Sequence, residues 1–219
     1  MKYMLLVCLL SLSLVATTSA QSPALRRGVS VQEAKTNHAV AMPEADRDDA
    51  WVIAITAEGQ LFLGADEMTA DSLWGQMKKT PHRRDAKVYI KADARAPFEQ
   101  VEKVLELARA GYFEVAGLLT SQVQQLTAGS IAPPVGLEVE LSPQAGAAVV
   151  QVHSGPNGST VKVDGQDVSW AELQSVLGSK SGKVAVIKAD AQAPFGDIAR
   201  AVDAGGGAGV KVGVDGMEL

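Results

Sequence analysis

Cysteine is almost missing from this 219-residue chain, and the single copy, Cys8, lies inside an apolar stretch. A disulfide framework and a cysteine-based zinc site are thereby excluded. Histidine is also scarce, and His38, His82 and His153 show no ligand spacing, so no metal is expected. Positive charge is in deficit, with 20 Lys+Arg against 25 Asp+Glu and a net charge of −5. No long basic stretch offsets this, which removes the electrostatic basis for binding nucleic acid. The chain also lacks a G-x-S-x-G elbow, a thiol outside the apolar stretch and any evident catalytic constellation, so an enzyme is not expected. The run Gly205, Gly206, Gly207 and Gly209 aligns with a helix end, not with a strand-to-helix turn, and therefore does not read as a phosphate cradle. No cofactor is expected.

What remains is an ordinary folding composition, 47% hydrophobic and 21% charged. At about 150 residues per domain, the length allows one or two compact domains. The longest apolar stretch runs from Met4 to Ala16, follows Lys2 and leads into Thr17, Thr18, Ser19 and Ala20. Residues 1–20 read as a signal peptide cleaved after Ala20. A retained short membrane anchor is the competing reading, although spanning takes about 20 apolar residues. Both readings place the rest of the chain outside the cytoplasm, with a periplasmic location expected.

The segment IKADARAPF at 90–98 recurs as IKADAQAPF at 187–195, identical at eight of nine positions. Around it, Leu73 matches Leu173, and the segment carrying Gly28, Val29 and Val31 matches that carrying Gly136, Leu137 and Val139. We therefore expect two tandem domains, 28–121 and 136–219, the second a degenerate copy. They are separated by a linker at 122–135 that is polar, then small and proline-rich.

Within each copy the periodicities predict strand, strand, helix, strand, helix, strand. WVIAIT and QLFL form a hairpin, as do VVQVHS and STVKV around GPNG at 155–158. Ser169 and Glu172 form a capping box, and Thr69 caps the matching helix, where Ser72 in place of Glu weakens the box. Pro97 and Pro194 fall in a first helical turn. Phe98, Val101, Val104, Leu105 and Ala108 then form a buried helical face. The fold class is α/β: two small two-layer domains, each a mixed sheet with its helices on one face.

Residues 88–98 (VYIKADARAPF) and 110–119 (AGYFEVAGLL), in this order of elements, resemble the periplasmic domain of the ExbD/TolR biopolymer-transport family. The resemblance covers most of 28–120 and, more weakly, 136–217. It implies a non-enzymatic interaction protein of a proton-motive-force-driven system of TonB or Tol type, with ExbB- or TolQ-like and TonB- or TolA-like partners. It also implies dimerisation through this domain, so the tandem pair is expected to act as a covalent pseudo-dimer or to form a homodimer. In that family a carboxylate in the membrane helix carries the proton, whereas here the first acid is Glu33, beyond the apolar stretch. The apolar stretch also begins at Met4, with no counterpart of the family's cytoplasmic tail. The resemblance therefore carries over the interaction module and not the proton chemistry. A cell-wall (peptidoglycan) binding module without a motor partner is the alternative from another class, and a hydrolase would require a deep polar cleft.

Two sets of residues are candidates for contact. Gly28, Val29, Val31, Gly136, Leu137 and Val139 either add a strand to a sheet edge or pair within their own domain. Asp93 and Asp190, at strand ends before a helix, either touch a partner or accept loop N–H groups. Lys78, Lys79, His82, Arg83 and Arg84 form a basic cluster that meets an acidic partner or is simply solvated.

Overall fold

The computed structural model describes residues 29–81, 86–122, 133–142, 146–180 and 182–216. The first half contains β1 (Val40–Ala41), a 3-10 turn (Pro43–Asp46), β2 (Trp51–Ile55), β3 (Leu61–Leu63), β4 (Asp66–Met68), α1 (Ala70–Lys79), β5 (Val88–Ala92), α2 (Phe98–Ala110) and β6 (Val115–Thr120). The second half contains β7 (Val135–Glu140), β8 (Ala148–His153), β9 (Thr160–Val163), β10 (Gln166–Val168), α3 (Leu173–Gly178), β11 (Val184–Ala189), α4 (Phe195–Gly207) and β12 (Lys211–Gly216). From β2 to β6 and from β8 to β12 the same seven elements follow one another.

The α/β class with a mixed sheet is present, but the two expected sheets are one. The strands lie in the order β10-β9-β8-β11-β12-β7-β6-β5-β2-β3-β4, with β1 paired to β7. Helix-linked neighbours run parallel, as in β2 with β5 and β8 with β11, whereas the hairpins run antiparallel. The fusion comes from β7, which pairs antiparallel with β6 over all six of its residues, Val135 opposite Thr120 through Glu140 opposite Val115. Its last residue, Glu140, also pairs with Gly213 of β12. Gly136 is required there, because a Cβ would lie 2.5 Å from the Leu118 carbonyl oxygen.

Within the seven repeated elements, each half holds one strand more than expected. β4 and β10 follow two-residue turns at Gly64–Ala65 and Asp164–Gly165. Gly64 has φ +66°, and Asp164 and Gly165 have φ +50° and +80°, the left-handed geometry that tight hairpins use. DEM and QDV are too short and too polar to announce a strand by alternation. As outer strands of the sheet, they discourage further pairing by being short and charged.

Alternate strand residues meet the helices in one continuous core. Phe98, Val101, Val104, Leu105 and Ala108 of α2 are all buried in it, as expected, together with Leu73, Leu173, Leu177, Phe195 and Ile198. The opposite face of the first half carries a small second cluster, in which Met42 and Ala45 cover Tyr89 and Leu119. The Thr69 cap is stronger than expected. The Ser72 N–H donates to Thr69 Oγ1 at 3.1 Å, and the Thr69 N–H donates back to Ser72 Oγ at 2.8 Å, so serine completes the box. Ser169 and Glu172 also bond to each other, but α3 starts only at Leu173.

Candidate functional site

A helix leaves its first N–H groups without partners inside the helix. At α2 and α4 the first two of these groups are satisfied by the other half. The Phe98 and Glu99 N–H groups donate to the carbonyls of Ala193 and Ala191, both at 2.9 Å. In return the Phe195 and Gly196 N–H groups donate to Ala96 and Ala94, at 2.9 and 2.8 Å. Pro97 faces Pro194 in an antiparallel bridge between them, with matching backbones of φ −62° in each. Proline suits the centre because it has no N–H to satisfy, and the fully buried Ala96 and Ala193 let the two chains approach. Residue i meets j and j meets i, the signature of a contact about a two-fold axis. The repeated A-P-F segment is thus a second contact between the halves, beside the pairing of β6 with β7.

The aspartates ahead of this contact end equivalent strands. The Asp93 N–H donates to Ile55 and the Asp190 N–H to Val152, at 2.8 and 3.0 Å. Their carboxylates differ. Asp93 is buried and accepts from the Gln32 N–H at 2.9 Å, the Arg95 N–H at 3.0 Å, and Arg95 Nε and Nη2 at 2.8 and 3.0 Å. The Arg95 guanidinium holds the Asp93 carboxyl well below the usual carboxylate range, against the opposing effect of burial, and the two backbone N–H groups add to it. Asp190 is 39% exposed, accepts the Ser154 N–H at 2.9 Å and has His153 Nδ1 at 3.4 Å. Gln192 stands where the first copy has Arg95, the one difference between the two repeated nonapeptides.

Of the strand-addition candidates, Gly136, Leu137 and Val139 lie in β7, which joins one half to the other. Val29 and Val31 lie in no strand, and Gly28 is outside the described residues. The chain beyond Val31 instead runs as a strap across both halves. The Ser121 N–H donates to Ala34 and the Thr36 N–H to Ser121, and the hydroxyls of Thr36 and Thr120 bond at 2.8 Å. The strap then reaches α4, where the Asp203 carboxylate accepts the Asn37 N–H at 3.1 Å and the His38 N–H at 2.7 Å. Asp203 is only 6% exposed. Val40 finally pairs with Gly136, so both flanks of β7 are occupied from within the chain.

Sequence reasoning missed the strap and its anchor. Its signals were an aspartate between Val202 and Ala204 on an apolar helix and the glycines that follow. A Cβ on Gly207 would lie 2.5 Å from His38 Cε1, and one on Gly205 would lie 2.5 Å from Val212 Cγ2. Those glycines let other chain segments approach the last turn of α4. Across the open sheet face, Glu138 pairs with Lys87 of the first half and Glu140 with Lys211 of the second, at 3.0 Å for the latter. The Glu138 carboxylate beside Lys87 raises that ammonium's pKa. In the basic cluster, Lys78 and Lys79 form the last turn of α1, and His82, Arg83 and Arg84 lie outside the described residues.

Among the described residues no group of three or more His, Cys, Asp or Glu is placed to hold a metal, and no helix is long and apolar enough to cross a membrane. The site is made of backbone exchange, a two-fold contact and a strap, all of them joining the two halves of one α/β chain. The family model described as biopolymer transport protein ExbD/TolR matches residues 3–122, more than half of the chain, and the protein belongs to that family. The match takes in the apolar stretch and the first half, and ends where the linker begins. No curated protein and no solved structure matches the chain.

Proposed function

We propose that this chain is a periplasmic accessory of a proton-motive-force-driven transport system of TonB or Tol type, working through association of its two halves and not through proton transfer. The reciprocal bonding of the two A-P-F segments carries this reading, because it is the contact that two separate copies of one domain would make as a dimer. On this reading 28–121 and 136–219 are the two domains, with 122–135 the connection that makes the pair permanent. Such a tether replaces a bimolecular encounter by an intramolecular one. Residues 1–20 direct the chain to the envelope, as a cleaved signal or a short anchor. No carboxylate precedes Glu33, so the apolar stretch has no group to relay a proton.

Partners are then ExbB- or TolQ-like and TonB- or TolA-like proteins, met by the assembled pair. The test is co-purification of the tagged full chain from membranes. An ExbB-like protein is expected to accompany it, and recovery of the chain without one, but with isolated cell-wall sacculi, would move the function to wall binding. Complementation adds a second arm. Restored uptake through TonB-dependent receptors in a strain lacking its own ExbD-like protein, by this chain alone, would overturn the claim that it moves no protons.

A further inference from the structure

Both α2 and α4 end in the same left-handed turn. The Phe113 N–H bonds back to Ala108 and the Val210 N–H to Gly205, and the residue that makes this reversal is Tyr112 at φ +65° in one and Gly209 at φ +68° in the other. Glycine is the residue such a turn favours. Tyr112 holds the conformation with a β-carbon and buries almost nothing in exchange, being 84% exposed. A strained residue that the fold does not need points to a task outside the fold.

The surroundings of Tyr112 agree. It borders a groove of about 490 Å³ between the ends of α1 and α2, lined by Trp74, Met77, Lys78, Pro81 and Gly111. Lys78 stands over the Trp74 ring, 4.8 Å from its centre. Among the described residues neither Lys78 nor Lys79 has an acidic partner, and none of those lining the groove is acidic. Two formal positive charges outweigh the partial negative charge that the two helix ends present, about half a unit each. The second half has lost the feature: Gln174 stands for Trp74, Gly178 for Lys78 and Gly209 for Tyr112.

The geometry points to a docking site on the first half alone, at which Tyr112 and Trp74 grip an aromatic side chain of an acidic segment from a partner protein. The lysines select the acidic segment, and the two rings supply the buried anchor that dominates such contacts. This extends the interaction reading above, yet it fails separately, since the presence or absence of an ExbB-like protein leaves the groove chemistry unchanged.

The experiment is selection of a random dodecapeptide phage library on the purified full chain in detergent, beside Tyr112→Gly, Trp74→Gln and Tyr112→Phe. Peptides with Phe, Tyr or Trp flanked by Asp or Glu are expected to be enriched on the wild type. The synthetic consensus should lose at least tenfold in affinity on Tyr112→Gly and Trp74→Gln, and keep it on Tyr112→Phe. Thermal melts of the same samples distinguish lost binding from lost folding, because Tyr112→Gly should melt a few degrees higher. Enrichment that is equal on Tyr112→Gly, a basic consensus, or no consensus would overturn the proposal. So would a concentration-dependent dimer abolished by Tyr112→Gly, which would show the groove covered by a second copy.

Discussion

The two halves share one order of elements and one contact surface, but they differ in how each treats its carboxylates. The first half buries Asp93 against Arg95 and the strap and leaves the α2 residue Glu106 in solvent, whereas the second leaves Asp190 half-open and buries Asp203 of α4. The strap explains the exchange. Leaving Asp93 by way of Gln32, it crosses to α4 and ends on Asp203, so each buried carboxylate sits where the strap supplies N–H groups. What looks like decay of one copy is a division of labour imposed by having one strap and two helices.

The hardest test of the halves' unity is the core. Phe98 and Phe195 are both fully buried at matching positions beside the two-fold contact. Truncating either to alanine should cost about 3–5 kcal/mol. Because one sheet runs through both halves, urea unfolding followed by fluorescence should stay a single transition in each variant. Two separated transitions, with each substitution moving only one, would show that the halves fold alone.

Asp203→Ala comes next. It strands the Asn37 and His38 N–H groups next to a vacated site, for an expected loss of about 1–3 kcal/mol, while Glu106→Ala at the matching exposed position should stay within about 0.5 kcal/mol. Equal effects in chemical denaturation would remove the strap from the account.

Acid sharpens the comparison at Asp93. A carboxyl whose folded-state pKa lies below its unfolded value adds stability at neutral pH, and that stability fades as pH falls below the unfolded value of about 4. Stability of the wild type should therefore drop steeply below that point, and Asp93→Asn should flatten part of the drop while costing about 1–2 kcal/mol at pH 7. Arg95→Gln, which makes the two nonapeptides identical, should cost less than about 1 kcal/mol, since the Arg95 side chain is 68% exposed and Asp93 keeps its backbone donors. A titration of unfolding free energy against pH reads all of this.

Much of this fold was legible because it was periodic. The helix face from Phe98 to Ala108 and the hairpin strands bury one residue set each, and a period of 3.6 or 2 records that burial in sequence. The A-P-F repeat was visible as a repeat but not as an interface. Its bonds join backbone to backbone between segments 97 residues apart in number, and such bonds leave no side-chain pattern. The strap was illegible for the same reason, since Asn37 and His38 contribute N–H groups that any residue would offer. The merger of the sheets turned on β7, whose sequence VGLEVE suits pairing inside its own half as well as across. The Asp164–Gly165 pair, by contrast, was a hairpin signal that its short polar neighbours obscured.

The smallest expected effect bears on the helix ends, where the halves hold the same backbone with opposite residues. Tyr112 is strained and unburied, so Tyr112→Gly removes the left-handed penalty and loses almost no contact. The gain is partly offset because glycine also enlarges the unfolded ensemble. The net expectation is a stabilisation of about 0.5–1 kcal/mol. A Cβ on Gly209 would meet nothing within 4 Å, so Gly209→Ala meets no clash and carries the strain alone, for a loss of about 1 kcal/mol. The double variant should return close to the wild type, since the sites lie on different helices and share no partner. If Tyr112→Gly instead destabilises the chain in paired urea melts, then the ring is held by the fold itself, and the contrast between the two helix ends is one of packing and not of function.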